Sequence, residues 1–195
     1  MNSDLISTAM LDGIELRRLC SESMTEPLLN AARAIVKCLQ GGGKVLACGN
    51  GGSAADAQHF AAELVNRFEI NRRGLAAVAL THDASVITSI ANDFSFDQIF
   101  SRQVEALGRP GDLLLAISTS GASPNVIAAV DRAGEIGMSV IALTGKNGGE
   151  LGHNDNIGVH LNINHVSTPR IQEMHITCLH IICSLVDDEM FGGAP

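Results

Sequence analysis

Apolar residues recur at helical spacing through the first forty residues of the chain, and the pattern stops at three consecutive glycines. The recurring positions are Leu16, Leu19, Leu28, Leu29, Ala32, Ile35, Val36 and Leu39, and the glycines are residues 41–43. A period of 3.6 residues that ends at glycine is typical of an amphipathic helix. The pattern therefore predicts one long helix or two shorter helices over residues 1–40.

After the glycines, short apolar runs alternate with helical patterns. Strands are predicted at 44–48, 76–80, 112–117, 139–143 and 156–163. Helices are predicted at 53–68, 84–91, 96–107, 123–136 and 168–190. Ser53 followed by Asp56 has the pattern of a capping box, and Pro169 suits the first turn of the last helix.

Strands that alternate with helices are typical of an α/β fold with a parallel sheet covered on both faces. The chain has 195 residues, of which 46% are hydrophobic, which is enough for one packed core. We expect a single domain over residues 1–195, in which a helical segment (1–40) leads into a sheet-and-helix core (44–191).

The net charge of the chain and the short length of its apolar stretches limit which partners this domain can have. The chain carries 13 Lys and Arg against 21 Asp and Glu, a net charge of −8. It lacks the basic surface that nucleic acids or anionic membranes require. The N-terminus also lacks the pattern of a signal peptide, and no apolar stretch approaches the ~20 residues of a membrane span. We expect a cytoplasmic protein with no nucleic-acid or membrane partner.

The five cysteines form no CxxC pair and are predicted to be reduced, buried thiols.

Two loops have the composition of anion-binding sites. Residues 49–53 read GNGGS, and residues 118–123 read STSGAS; each loop follows a strand and precedes a helix. Glycines let backbone amides approach a ligand, and hydroxyls with helix-terminal N–H groups bind phosphate without Lys or Arg. Such loops also serve simply as turns and caps, but two at equivalent strand ends favour a phosphate site.

The first loop also fits the dinucleotide spacing G-x-G-x-x-[G/A] through Gly49, Gly51 and Ala54. That fingerprint requires an acidic residue about 20 residues on, near the end of the second strand. Here the second strand ends in Thr81-His82-Asp83, beyond the expected spacing. The dinucleotide interpretation is therefore the weaker one.

Two helices carry polar residues that could bind a metal or act on a substrate. His59 and Glu63 are four residues apart and share one helical face, where they can bind a metal or act on one substrate. In the last helix, Gln172 and His180 are about 80° apart around the axis and could reach the same pocket. His175 lies on another face, which favours a structural role.

Four segments together resemble the sedoheptulose 7-phosphate (phosphoheptose) isomerases of the sugar isomerase (SIS) domain superfamily. They are GNGGSAADAQHFAAELVNRF, SIANDFSFDQIFSRQVEALGRPGDLLLAISTSGASPNV, ALTG and TPRIQEMHITCLHIICSLV. The resemblance implies a flavodoxin-like αβα sandwich and a homotetramer. It also implies interconversion of sedoheptulose 7-phosphate and D-glycero-D-manno-heptose 7-phosphate, an early step towards the heptose of lipopolysaccharide.

The same resemblance implies the site residues. Zn²⁺ is expected on His59, Glu63, Gln172 and His180. Glu63 is expected to act as the base and His180 as the acid. Substrate is expected at Asn50, Gly51, Gly52, Ser53, Glu63, Asn92, Asp93, Ser118, Thr119, Ser120, Ser123 and Gln172.

Two related functions compete with the isomerase. One relative in the superfamily binds the replication initiator and regulates chromosome replication without isomerase chemistry, but it departs from the isomerases at the positions of Glu63 and His180, which this chain keeps. Phosphosugar-sensing SIS domains usually accompany a DNA-binding or synthase domain, for which no residues remain here. Isomerisation is the favoured hypothesis.

Overall fold

The computed structural model describes residues 2–192 and begins with two helices. Helix α1 spans Ser3–Ser23 and helix α2 spans Thr25–Gln40, so the N-terminal helical pattern is divided at Met24. Helix α2 buries an apolar face against the last helix and the sheet. Helix α1 buries only Leu16 and Cys20 and leaves much of its apolar surface exposed.

The centre of the molecule is a parallel sheet of five strands in the order β2-β1-β3-β4-β5. The strands are β1 (Val45–Gly49), β2 (Ala77–Ala79), β3 (Leu113–Ser118), β4 (Ser139–Gly145) and β5 (Val159–Ile163). The remaining helices are α3 (Gly52–Val65), α4 (Ala84–Asp93), α5 (Ser101–Leu107), α6 (Pro124–Ile136) and α7 (Thr168–Phe191). Short 3-10 turns cover Phe96–Gln98 and Leu151–His153.

Successive residues of each central strand enter two different cores. In β1, Val45 and Ala47 pack with helices α2, α3 and α7, whereas Leu46 and Cys48 pack with α5 and α6. Because both faces of the sheet are covered, these strands are continuously apolar, as their sequence indicates. The order β2-β1-β3-β4-β5 is that of flavodoxin-like sheets, and the predicted αβα sandwich is confirmed.

Several predicted boundaries differ from the observed ones. The predicted capping box is wrong: α3 begins at Gly52 with Gly51 as its cap, and Ser53 lies inside the helix with its side chain buried. Asn92 and Asp93, expected between two helices, are the last residues of α4. The two ends of the predicted domain, residue 1 and residues 193–195, lie outside the described residues.

Two other predictions concern the cysteines and the membrane. All five cysteines are buried and unpaired, and burial raises the pKa of the Cys48 thiol to about 12. Within residues 2–192, none of the helices combines the length and the apolar character needed to cross a bilayer.

Candidate active site

The loops after β1 and β3 lie side by side at the carboxyl-terminal edge of the sheet. The two strands are parallel neighbours, with Gly49 opposite Ile117. The side chains of Asn50 and Asn125 join the loops by reciprocal amide hydrogen bonds of 2.8 and 2.9 Å. Asn125, in the first turn of α6, is only 1% exposed. The Asn50 side chain, expected to bind substrate, is thus used to hold the two loops together.

The glycines of the first loop let helix α7 approach the start of α3. Gly51 has φ +55° and ψ −121°, a conformation that favours glycine. A Cβ atom on Gly52 would lie 2.3 Å from Nε2 of Gln172. The Gln172 amide therefore lies directly against the first residue of α3, and a side chain at residue 52 would have to displace it.

The second loop groups three serine hydroxyls at the start of helix α6. Ser118 Oγ lies 2.8 Å from Ser123 Oγ and 3.4 Å from Ser120 Oγ, and the Ser120 hydroxyl accepts the Ala122 N–H. Ser123 is the N-cap residue of α6, yet its side chain makes no capping hydrogen bond. Its hydroxyl contacts only Ser118 Oγ among the described residues, so it can still bond to a ligand. Three hydroxyls at a helix N-terminus form the neutral donor set that a phosphate group requires.

Two histidines and a glutamate meet across the seam between α3 and α7. Nε2 of His59 lies 3.0 Å from Nε2 of His180 and 3.2 Å from Oε1 of Glu63. The His180 ring stacks on Phe68, with ring centroids 5.6 Å apart. The Glu63 side chain is 24% exposed and that of His59 is 47% exposed, so both can reach a ligand from solvent. His59 thus contacts both Glu63 and His180, and these are three of the four residues expected to bind zinc.

These three residues resemble a metal site without forming a complete one. Nitrogen and oxygen ligands of tetrahedral zinc lie about 3.3 Å from one another, close to the two separations at His59. However, residues 2–192 contain no group of three or more His, Cys, Asp or Glu side chains positioned to hold a metal ion. The His180 and Glu63 side chains both contact Nε2 of His59, and the three side chains do not surround a shared position where a metal ion could lie. The donor types fit zinc, and zinc binding stays a prediction.

Gln172 is not part of this contact. Gly52, which it touches, precedes His59 by seven residues, about 10 Å along a helix. Among the described residues, Gln172 makes no hydrogen bond to His59, Glu63 or His180. The four residues expected to bind zinc are therefore arranged as a triplet and a more distant amide.

The remaining predicted residues occupy two places. Thr119 is half-buried within the second loop, beside the three serines. Asn92 and Asp93 are exposed at the end of α4, where the Asn92 amide donates to the Asp93 carboxylate over 2.8 Å. That hydrogen bond joins them to each other and does not connect them to the seam between α3 and α7.

Asp56 is a further carboxylate near this site. Its Oδ2 atom is buried and has no hydrogen-bond partner among the described residues. Burial raises the pKa of Asp56 to about 6, and the nearby His59 opposes that shift. Asp56 precedes His59 by three residues and Glu63 by seven, spacings that place all three on one helical face. That spacing is visible in the sequence, although the capping-box interpretation gives Asp56 a different role.

Comparison with known proteins gives the family. The SIS domain family matches residues 13–145, more than half of the chain. The phosphoheptose isomerase of Methylibium petroleiphilum is 52% identical over 188 residues, covering 96% of this chain and 94% of that protein. The chain belongs to the phosphoheptose isomerase family of SIS domain proteins.

Solved structures of this isomerase family have the same fold. The phosphoheptose isomerase of Neisseria gonorrhoeae is 48% identical, with a TM-score of 0.90, and the match covers 95% of this chain and 98% of that one. The isomerase of Francisella tularensis is 41% identical, with a TM-score of 0.92, over 96% and 100% of the two chains. These matches include α7, which lies beyond the SIS domain match and carries Gln172 and His180. The replication-regulator alternative is not favoured.

Proposed function

We infer that this chain is a phosphoheptose isomerase, which interconverts sedoheptulose 7-phosphate and D-glycero-D-manno-heptose 7-phosphate. Its relatives carry that name over nearly their whole length. The reaction serves the synthesis of heptose for surface glycans such as lipopolysaccharide. A phosphosugar substrate also suits an acidic protein whose anion site is made of neutral donors.

The observation that carries this proposal is the placement of Glu63 and His180 on either side of His59. Aldose–ketose isomerisation moves a proton between neighbouring carbons and needs a base at carbon and an acid at the carbonyl oxygen. A carboxylate and an imidazole within 3.2 and 3.0 Å of a common atom can both reach adjacent atoms of one sugar.

In the proposed reaction, the Glu63 carboxylate removes the proton from the carbon beside the carbonyl group. The His180 imidazolium donates a proton to the carbonyl oxygen, which gives an enediol. Glu63 then returns its proton to the former carbonyl carbon, and the hydroxyl group on the carbon that lost its proton gives up a proton to His180 and becomes the new carbonyl group. No net proton is gained or lost, and each group ends in the state in which it began.

The phosphate group is assigned to the loop that carries Ser118, Ser120 and Ser123. Hydroxyl groups and the α6 N-terminus would hold the dianion at a fixed distance from the acid–base pair. Fixing the sugar in this way supplies much of the rate gain, because orientation replaces random encounter. The backbone of Gly51 and Gly52 would face the sugar from the neighbouring loop.

We also propose that His59, Glu63 and His180 hold a zinc ion, with Gln172 at the edge of the site. When bound, zinc would act as a Lewis acid towards the sugar oxygens. A glutamate that ligates a metal is a poorer proton acceptor. A zinc-bound His180 likewise could not be an imidazolium, so Glu63 and His180 would act as base and acid only when free of the metal.

The proposed assembly is a homotetramer in the cytoplasm. Helix α1 exposes Leu5, Ile6, Met10, Leu11 and Ile14, each between 63% and 70%. Contiguous apolar surface of this kind marks protein interfaces, and we assign it to other copies of the chain. Five unpaired cysteines accord with a reducing compartment.

Incubation of the purified protein with sedoheptulose 7-phosphate tests the function. The expected result is formation of the aldose phosphate, detected by reduction with borodeuteride and mass-spectrometric fragmentation, which locates deuterium at C1 for the aldose and at C2 for the ketose. Assays with and without added zinc keep metal loss from hiding the activity. No conversion under either condition would refute the isomerase assignment.

A further inference from the structure

The charged pair Arg72–Asp187 is the most enclosed ion pair among the described residues. The Arg72 side chain is 1% exposed and that of Asp187 is 7% exposed. Arg72 Nε donates to Asp187 Oδ1 over 2.5 Å. Arg72 lies between α3 and β2, and Asp187 lies in α7, so the pair joins two parts of the chain that are 115 residues apart.

The other nitrogens of Arg72 bind the end of helix α3. Nη2 donates to the carbonyl oxygen of Glu63 over 2.8 Å, and Nη1 donates to that of Leu64 over 2.9 Å. The last four carbonyl groups of a helix have no partner within the helix, and a cation there is favourable to its dipole. Arg72 thus binds the backbone of the residue that is proposed as the catalytic base.

Asp187 connects the same guanidinium to the helix that carries His180. The two residues are seven apart in α7, which places them on nearly the same face, about two turns from each other. Asp187 Oδ2 is buried and has no hydrogen-bond partner among the described residues. The Arg72 guanidinium is therefore the only hydrogen-bond partner of this carboxylate in the described structure, and a movement of α3 relative to α7 would strain its contacts with one helix or the other.

We propose that Arg72 and Asp187 are positioning residues, which fix Glu63 on α3 at its working distance from His180 on α7. A buried ion pair is by itself weak evidence for stability, because desolvation offsets the attraction. Here the guanidinium also binds two backbone carbonyl groups at the end of α3. The planar fork of arginine can bind all three acceptors together, which the single ammonium group of lysine cannot do. The proposal rests on the isomerase function.

The decisive variant is Arg72→Lys, which keeps the charge and loses the fork. We expect kcat to fall about ten- to a hundredfold, because small misplacements of a catalytic group have effects of that size. The KM for sedoheptulose 7-phosphate should stay within about twofold, since the phosphate loop is untouched. Asp187→Asn, which keeps an acceptor oxygen but removes the charge, should show the same pattern to a smaller extent.

The matched control is Lys44→Gln, which breaks another partly buried ion pair. Lys44 Nζ lies 2.5 Å from Asp112 Oδ2 at the amino-terminal ends of β1 and β3, on the side of the sheet away from the candidate site. The two side chains are 26% and 5% exposed. Its loss should lower the melting temperature and leave kcat unchanged. If Arg72→Lys lowers kcat no more than Lys44→Gln does, or raises KM with kcat intact, the positioning role is refuted.

Wild-type turnover, measured in the same series, separates this proposal from the proposed function. If the wild type converts no heptose phosphate, the isomerase assignment fails. Crystal structures of the wild type and of Arg72→Lys then test whether Arg72 and Asp187 position α3 relative to α7. In Arg72→Lys the end of α3 should shift relative to α7 and lengthen the His59–His180 contact. An unchanged contact would overturn the proposal whatever the activity.

Discussion

The Nε2 atoms of His59 and His180 lie 3.0 Å apart, although the residues are separated by 121 positions in the chain. The contact exists because α3 and α7 pack side by side on one face of the sheet. Two ring nitrogens at this distance either share one proton or face a common ligand. The seam between these helices therefore brings together two imidazole groups and the Glu63 carboxylate.

Replacement of Glu63 by Gln should abolish turnover and spare substrate binding. The amide keeps the shape of the side chain and cannot accept the proton from carbon. A loss of about 10²- to 10⁴-fold in kcat is expected for removal of a general base. Calorimetry should give a substrate Kd close to that of the wild type. Glu69→Gln, at an exposed position nearby, is the control; activity retained in Glu63→Gln would remove Glu63 from the base role.

Purified protein should contain zinc, and His59→Asn should lose it. Elemental analysis by mass spectrometry measures the metal, and His153→Asn, which removes an exposed histidine, should keep it. Chelation should abolish activity, and added zinc should restore it. Full activity in protein shown to be free of metal would rule out a required ion.

Ser123→Ala should weaken phosphate binding. Loss of one hydrogen bond to a charged group costs about 1.5–3 kcal/mol, so KM for the sugar phosphate should rise at least about tenfold. The inhibition constant of inorganic phosphate should rise in parallel, since it reports on the same loop. Ser139→Ala, at the exposed start of β4, should change neither constant. Equal constants for both variants would place the phosphate elsewhere.

The fold could be predicted from local sequence because its signals are local. Each of the five predicted strands is present, since runs of four to eight apolar residues between turn residues are too short for most helices and suit strands covered on both faces. Boundaries were less predictable. Ser53 is a residue type that caps helices, but α3 begins one residue earlier, at Gly52, and Gly51 takes the cap position with φ +55°.

The parts of the site that depend on tertiary contacts could not be predicted in this way. Asn125 binds Asn50 across 75 residues, and Arg72 binds Asp187 across 115. Neither pairing leaves a periodic or spacing signal. The spacing of Gln172 and His180 on α7 was visible, yet it could not indicate that the two residues meet different turns of α3.

A charge introduced on the exposed face of α1 should dissociate the assembly. Ile6, Met10 and Ile14 recur every four residues and form one apolar stripe. Met10→Glu should lower the mass measured by light scattering from that of a tetramer, because burial of an unpaired charge is costly. Thr8→Glu, roughly 160° away around the helix, should leave the mass unchanged. A wild-type protein that is monomeric at micromolar concentration would contradict the proposed assembly.

Stability should fall in acid because of His175. This residue is fully buried, and its Nε2–H donates to the Thr144 carbonyl oxygen over 2.9 Å, while Nδ1 has no partner among the described residues. Burial lowers the pKa of His175 to about 4, from an ordinary value of 6.5. Between these values the unfolded chain binds a proton that the folded chain does not. The stabilisation is therefore complete above pH 6.5 and is lost as the pH falls towards 4.

The free energy lost over that range is about 3 kcal/mol for this residue, at about 1.4 kcal/mol for each pKa unit. Urea unfolding between pH 7.5 and pH 4 measures it. His175→Gln can still donate to the Thr144 carbonyl but does not titrate, so its stability should depend less on pH by about that amount. His82→Gln, at an exposed histidine, should keep the wild-type slope. Equal slopes for His175→Gln and the wild type would show that His175 does not control the acid sensitivity of the fold.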